Sequence, residues 1–310
     1  MTNQELIDKY CGFLESQNKS VSTLKASKST LGKFMVAAQN INVDIYNPTL
    51  DEVYKVLQHY GVCNHSVLKN VHNIIARFYK WMYDNEFSNN DIFNVRSNGQ
   101  YLSIDLSEQI QKEYYKNPLD TKEYFDAIFR PTYENTIDNS YRTFLWLIYI
   151  GIPPREVAKI KKTDLNIKES CISYKEKKYL IPDEAIADIK WSYFNVAIIK
   201  NINGGYFYKD FVDKDMLVGS TGKNPYESIR YAFINDVNIP DGLTNKLSFS
   251  SVKYSGFFYL AYEEEQKSKD VNFLKLASEL YLDGSTKYKG AEHCKQLQSD
   301  YRDWKKAFNL

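Results

Sequence analysis

The segment from Tyr141 to Asp164, YRTFLWLIYIGIPPREVAKIKKTD, constrains the fold of this chain more than any other part of the sequence. Its first half contains the continuous apolar run 144–150, which predicts a buried helix. Gly151 ends that run, and the two prolines that follow suit the first turn of a new helix, where a missing N–H has no partner to lose. We expect a tight corner and then a short basic amphipathic helix, from about Pro154 to Lys162, with its lysines facing solvent.

The composition is that of a globular protein without a strong charge bias. The chain has 310 residues, of which 43% are hydrophobic and 25% charged, and this size suits two domains with separate cores. The formal net charge is only +1. Any surface that binds nucleic acid must therefore arise from local segregation of basic and acidic side chains.

Metal and membrane partners are not expected. The four cysteines and four histidines are scattered and form none of the close pairs of a zinc site. We expect no metal and no other cofactor, and free thiols suit a reducing compartment. The N-terminal segment is too polar for a signal peptide, and the run 144–150 is much shorter than the roughly 20 residues that span a bilayer. The sequence predicts a cytoplasmic protein.

The first domain, predicted as 1–95, should consist of helices. Apolar residues at helical spacing predict helices at about 3–15, 22–39, 50–60 and 65–86. Thr49 is the expected cap of the third of these helices, and Gly61 should end it. The polar stretch 96–118 is expected to be a linker that contains a short helix near 105–115.

The second domain, predicted as 119–310, should be mainly helical with one small β-sheet. A hairpin is expected at 171–181, and helices at about 120–129, 183–199, 226–233, 250–265, 271–282 and 291–308. The fold class predicted for the whole chain is mainly α with a small β-sheet, in two domains.

Three segments resemble the tyrosine recombinases (phage integrases). The corner 151–157, GIPPREV, keeps the glycine, the glutamate and the apolar flanks of a family motif that reads approximately Gly-Leu-Arg-x-x-Glu-Leu. Residues 29–34 are similar to the start of the family's core-binding domain, and 71–87 to its last helix. The resemblance covers about residues 20–290 and implies a two-domain clamp on double-stranded DNA.

The catalytic groups of that family are largely missing. Recombinases cut DNA with two arginines, a hairpin lysine, a His-x-x-Arg box, a later His or Trp and a nucleophilic tyrosine, which together neutralise and attack a phosphate. Pro153 stands where the first arginine belongs, and Ser250 and Lys253 stand at the ends of the His-x-x-Arg box. Since the loss of one such donor typically costs about 10²–10³ in rate, the resemblance implies no catalytic residues and no strand cleavage.

Some catalytic positions keep candidates. Lys175, Lys177 and Lys178 are counterparts of the hairpin lysine, and Tyr281, Tyr288 and Tyr301 are candidate nucleophiles. They leave open the alternative of an active recombinase with a displaced site that uses Arg155, Lys253 and one of these tyrosines.

The resemblance also implies which residues contact DNA, mostly through the phosphate backbone. Lys69, Asn73 and Arg77 are spaced by four residues and should line one helical face. The full set of expected DNA-binding residues is Lys25, Lys28, Lys69, His72, Asn73, Arg77, Arg155, Lys159, Lys161, Lys162, Lys177, Lys178, Lys246, Ser250, Lys253 and Tyr254. Taken singly, each lysine could equally be an ordinary solvated surface residue.

The function predicted from the sequence is a sequence-specific repressor of a prophage or mobile element, derived from a recombinase but unable to cut DNA. The near-neutral charge leaves a third alternative, an interaction protein without affinity for DNA. The last helix could pack on its own domain, or Trp304 and Phe308 could mediate self-association, as C-terminal helices often do in the recombinase family.

Overall fold

A computed structural model describes residues 1–93, 103–129, 137–202, 205–222, 224, 226–228, 230–231, 247–268, 271–280 and 291–310. The chain divides into two compact units. Unit 1 contains Met1–Ile110 and Asp303–Leu310, and unit 2 contains Gln111–Arg302. The described part of the chain is mainly helical with small antiparallel sheets, which confirms the predicted fold class.

Unit 1 is built on four helices: α1 (Asn3–Ser16), α2 (Val21–Asn40), α3 (Leu50–His59) and α4 (His65–Asp84). Side chains cap all four at their N-termini, and Thr2 and Thr49 each form a capping box with a glutamate three residues later. The apolar stripes of these helices face one another, so that Leu6, Leu31 and Phe78 are fully buried. The four predicted helices are confirmed, with ends within about two residues of the expected ones.

Helix α5 (Ser107–Glu113) follows, and then unit 2 continues with α6 (Pro118–Ile128), α7 (Ile137–Tyr149) and α8 (Pro154–Val157). Strands β1 (Leu165–Asn166), β2 (Cys171–Tyr174) and β3 (Lys177–Leu180) lead to α9 (Asp183–Phe194), and β4 (Ala197–Ile202) and β5 (Gly205–Asp210) follow. The chain ends with α10 (Phe249–Ser268), α11 (Phe273–Leu280) and α12 (Ala291–Phe308).

Helix α7 is the centre of the unit 2 core. Every side chain from Phe144 to Ile150 is buried, as the apolar run predicted, and Trp146 is among the largest fully buried side chains. Helices α9 and α10 both pack against α7. Since only four residues separate α7 from α8, the position of this central helix fixes the corner at 151–157.

The structure corrects the predicted basic helix at 154–162. Helix α8 ends at Val157, after a single turn. The backbone beyond it pairs with another segment instead, because the N–H of Leu217 donates to the carbonyl of Ile160 at 2.8 Å and that of Lys162 to the carbonyl of Asp215 at 2.8 Å. A longer helix would have to give up both of these contacts.

The second correction concerns the sheets. Strands β1, β2 and β3 form the expected hairpin and its neighbour, but β4 and β5 form a second antiparallel sheet. Its first strand begins inside the helix predicted at 183–199. Helix α9 ends at Phe194, and the amide group of Asn195 donates to the carbonyl of Trp191 at 2.7 Å, which closes the helix.

Candidate nucleic-acid interface

The α4 stripe, which we define as Lys69, Asn73 and Arg77, lies exposed on one face of unit 1. The apolar residues of the same helix, including Ile75 and Phe78, are buried on its other side and fix this orientation. The Arg77 guanidinium is steadied by a 3.0 Å hydrogen bond from Nε to the Asn73 carbonyl. The stripe therefore offers two cations and an amide to solvent on a rigid element.

His72 does not belong to this surface. It is 5% exposed, and its ring stacks on Tyr54 at 6.0 Å and meets Phe93 edge-on at 5.4 Å. Burial lowers the pKa of the imidazole below its ordinary value, which favours the neutral ring. The burial of His72 on the core side of α4 argues against its predicted contact with DNA.

The two lysines of α2 that were predicted to contact DNA, Lys25 and Lys28, are both exposed. Lys28 forms an ion pair with Asp8 of α1, at 2.8 Å from Nζ to Oδ1. Within the described residues of unit 1, no carboxylate lies within ion-pair distance of Lys25. Lys28 would have to exchange a partner in order to reach a phosphate, whereas Lys25 would not.

In unit 2, the corner at 151–157 begins with a glycine in a backbone conformation that suits few other residues. Gly151 has φ +104°, a conformation that side chains with a Cβ rarely adopt, and its N–H donates to the Ile148 carbonyl at 3.0 Å. Pro153 precedes α8 as its N-cap residue and carries no charge. Arg155 is exposed, and its guanidinium lies 5.9 Å from the centre of the Tyr226 ring.

Glu156 connects this corner to the turn of the β2–β3 hairpin. Lys159 Nζ lies 2.8 Å from its Oε1, and Lys175 Nζ lies 2.7 Å from its Oε2. The Tyr174 hydroxyl also donates to Oε2, at 2.8 Å. Lys159 and Lys175 hold the pKa of this carboxyl at about 2, so Glu156 is ionised throughout the physiological range. We call Tyr174, Lys159 and Lys175 the Glu156 donors.

Lys161 and Lys162, predicted to face solvent together, have different environments. Lys161 is exposed. Lys162 is half-buried, and its ammonium group donates to the Asn195 carbonyl at 2.9 Å, while burial lowers its pKa. Lys162 therefore holds the end of α9 in place, and its predicted role as a solvent-facing lysine is corrected.

The hairpin supplies two further predicted contacts. Lys178 is exposed and pairs with Glu169 at 2.6 Å, and Lys177 is half-buried. Lys246 lies outside the described residues. Both hairpin lysines therefore stand beside the turn that carries Lys175.

The segment aligned with the His-x-x-Arg box forms the start of α10. Ser250 is exposed, whereas Lys253 and Tyr254 are half-buried. The neighbouring Ser251 is buried and hydrogen-bonds to the Glu113 carboxylate, and its N–H donates to Ser248 Oγ at 2.9 Å. The segment is held as a helix start, with one hydroxyl and one amine where the family has imidazole and guanidinium.

Tyr301 is unsuited to act as a nucleophile. Its hydroxyl donates to Glu265 at 2.7 Å, and the residue is only 4% exposed. Burial and the adjacent carboxylate both raise the pKa of the phenol well above its ordinary value, which opposes formation of a phenolate. Tyr281 and Tyr288, the other two candidates, lie outside the described residues.

The last helix packs within its own chain. Trp304 is fully buried, and its ring lies 5.7 Å from that of Phe308, which is half-buried. In the same turn Asp303 accepts a hydrogen bond from His65 of α4, at 2.8 Å. The burial of Trp304 favours the first of the two alternatives, packing within its own chain, and self-association through the last helix stays a prediction.

A groove of about 880 Å³ lies in unit 2, between the start of α9 and helices α10 and α11. Its lining contains both carboxylates and ammonium groups: those of Glu176, Asp183, Glu184, Glu263 and Glu264, and those of Lys177, Lys178, Lys267 and Lys275. Since charges of both signs line this groove, its charge gives no reason to assign it to DNA. No cluster of three or more metal-ligating side chains occurs in the described ranges. Within those ranges, each helix is too short or too polar to cross a membrane.

Sequence reasoning missed the role of Glu156 and of Tyr174. The glutamate was recognised only as part of the corner motif, and Lys175 only as one of three equivalent hairpin lysines. The signal that could have found them is the register of the hairpin, in which Tyr174 pairs with Lys177 and leaves Lys175 in a two-residue turn.

Comparisons with known proteins give structural neighbours only. No protein-family model matches the chain, and a comparison with curated proteins finds no match. The integrase from mycobacterium phage Brujita is similar with 10% identity and a TM-score of 0.30, over 98% of this chain and 93% of that one. A Tn1549 transposon integrase in complex with a circular intermediate DNA is similar with 12% identity and a TM-score of 0.32, over 89% and 90%. At this level the similarity supports no argument about activity, and the function has to be judged from the residues themselves.

Proposed function

We propose that this protein is a sequence-specific double-stranded DNA-binding repressor of a prophage or mobile element, which binds DNA without cutting it. The α4 stripe is the observation that carries the proposal. It presents two cations and an amide on the exposed face of a long helix whose opposite face is buried. Lysine and arginine bind phosphates, and an asparagine amide suits the edge of an adenine, so one helical face combines both kinds of contact.

Three positions support the proposed absence of cutting. Pro153 is uncharged, Lys253 replaces a forked guanidinium by a point charge, and Tyr301 is buried as a neutral donor. A phosphate can still be held by such a site, but the charge that develops during cleavage has no preorganised partners. A protein that binds DNA but does not cleave it is suited to be a regulator, because a repressor acts by occupying its site on DNA.

The proposal is tested by a gel shift with fragments of the genome that encodes the chain, at about 50 and 200 mM salt. If the protein makes six or more phosphate contacts, its affinity should fall on the order of 10³-fold or more over this range. The complex should dissociate in SDS. A band that survives SDS would indicate a covalent phosphotyrosine and an active recombinase, and the absence of any shift would favour the interaction protein without DNA affinity.

Variants assign the interface. Lys69→Ala and Arg77→Ala should each weaken binding and reduce the slope of log affinity against log salt by about 0.9, the value for one lost phosphate contact. Lys55→Ala is the matched control, since Lys55 is an exposed lysine of unit 1 on α3, outside the α4 stripe. An equal effect of all three changes would show that only overall charge matters and would refute the assignment of α4.

A further inference from the structure

Glu156 fills a site built from three donors that come from different parts of unit 2. Lys159 follows α8, Tyr174 ends β2, and Lys175 lies in the hairpin turn, yet their polar hydrogens converge on the two oxygens of one carboxylate. The glutamate side chain is 20% exposed, whereas the two lysine side chains are 61% and 63% exposed. The two ammonium donors are thus open to solvent, whereas Tyr174 is half-buried and the carboxylate is mostly covered.

The donor set has the chemistry of an anion site. Two ammonium groups and one hydroxyl can serve the oxygens of a phosphodiester as well as those of a carboxylate, because both anions carry a negative charge and accept charge-assisted hydrogen bonds. A phosphate that arrives from solvent would compete with a carboxylate that is permanently attached.

The backbone holds one of the donors in a rarely adopted conformation. Lys175 has φ +48° and Glu176 φ +63°, although neither is glycine. Two-residue hairpin turns of this kind favour Asn-Gly, because side chains with a Cβ are disfavoured at positive φ. A lysine at this position is therefore unfavourable for the turn itself. Its ion pair with Glu156 is a tertiary contact, which turn preference does not explain.

We propose that Tyr174, Lys159 and Lys175 form a binding site for a phosphate of the DNA backbone, which Glu156 occupies in the free protein and must vacate on DNA binding. The inference rests on the proposed DNA-binding function and adds a regulatory element to it. Glu156 lowers affinity for DNA of any sequence, so that stable binding requires the additional contacts of a specific site.

The test is a gel shift with Glu156→Gln, which removes the negative charge and keeps the size of the side chain. Two released ion pairs of this exposed kind should raise affinity on the order of 3- to 10-fold at about 50 mM salt. The gain should disappear when Lys159→Ala and Lys175→Ala are added, because the released donors are then absent. Glu156→Asp keeps the charge but shortens the reach, and should give part of the gain.

The matched control is Glu264→Gln, which removes an equal charge from a carboxylate of unit 2 whose lysine neighbour, Lys267, is not an expected DNA contact. Circular-dichroism melting confirms that each variant is folded, and Glu156→Asp serves in the same series if Glu156→Gln is not. A shift by the wild type without any gain from the Glu156 variants, or an equal gain from Glu264→Gln, would overturn the inference alone. No shift by any variant would refute the proposed function and the site with it.

Discussion

Replacing Arg142 with methionine tests how strongly a buried ion network holds unit 2 together. Arg142 Nη1 lies 2.6 Å from Asp126 Oδ1, and Nε lies 2.9 Å from Asp188 Oδ1. The side chains of Arg142 and Asp188 are 5% and 8% exposed, respectively, whereas that of Asp126 is 36% exposed. The network joins α6 and α9 to α7, the helix at the centre of the unit 2 core.

The expected cost follows from the burial of Asp188. Methionine fills much of the space of the arginine stem, but it leaves a buried carboxylate without its cation, and such a loss typically costs about 3–5 kcal/mol. Asp188 keeps the hydrogen bond from Trp146 Nε1 at 2.9 Å, which favours the lower part of that range. For a unit of this size the midpoint of thermal unfolding should fall by roughly 6–20 °C.

Two further variants make the test specific. Lys122 also pairs with Asp126, but both side chains are 36% exposed, so Lys122→Met should cost at most about 1 kcal/mol. Adding Asp188→Asn to Arg142→Met removes the stranded charge and keeps an acceptor for Trp146, and it should recover a large part of the lost stability. Denaturant unfolding measures all four proteins. A cost below about 1 kcal/mol for Arg142→Met, or no recovery in the double variant, would refute the reasoning.

The pH dependence supplies an independent check. Burial raises the pKa of Asp188 above its ordinary value, even though Arg142 and Trp146 oppose the shift. A carboxyl whose folded-state pKa is raised favours the folded state when protonated, and this stabilisation is lost as the pH rises through the folded pKa. Without Arg142 the pKa should rise further, so the deficit of Arg142→Met should be smaller at about pH 5 than at about pH 8. The double variant should lack this difference.

Three other expectations follow from single contacts. The Asp303 carboxylate raises the pKa of His65. This pair should therefore stabilise unit 1 most below the ordinary histidine pKa, and the stabilisation should be lost as the pH rises through the raised pKa. Asp303→Asn should remove this pH dependence of stability in thermal melts. Gly219→Ala should destabilise unit 2 by roughly 1–3 kcal/mol, because the added Cβ would lie 2.0 Å from the Phe211 ring. An unchanged midpoint of denaturant unfolding would contradict this expectation. His72→Leu should leave DNA affinity unchanged in a gel shift while it alters stability, and a large loss of affinity would return His72 to the interface.

The helices of unit 1 could be predicted from sequence because several local signals agree there. The caps at Thr2 and Thr49, the apolar stripes and the turn residues all indicate the same boundaries. The same holds for α12, whose alternating three- and four-residue spacing gave its limits, Ala291 and Phe308. Local physics decides these elements, and tertiary contacts only orient them.

The elements that sequence reasoning missed depend on contacts between distant segments. Residues 196–199, VAII, fit a helix and a strand equally well, and pairing with β5 decides for the strand. The segment after α8 is likewise extended because residues near 216 pair with it. The cations of the candidate site were predicted by type and spacing, but their partners were not, since Lys28 meets a carboxylate 20 residues away and Lys175 one 19 residues away.

These ion pairs change what salt dependence should look like. A lysine that already neutralises a carboxylate must leave it in order to neutralise a phosphate, and the carboxylate then attracts a cation from solution. The net release of counterions is smaller than for a lysine such as Lys69, which has no carboxylate within ion-pair distance in the described part of unit 1. The slope of log affinity against log salt should therefore be shallower than the number of contacting cations implies. Glu156→Gln should steepen it by about one to two units, because Lys159 and Lys175 then behave as free cations, and an unchanged slope alongside a higher affinity would show that the gain does not arise from phosphate contacts.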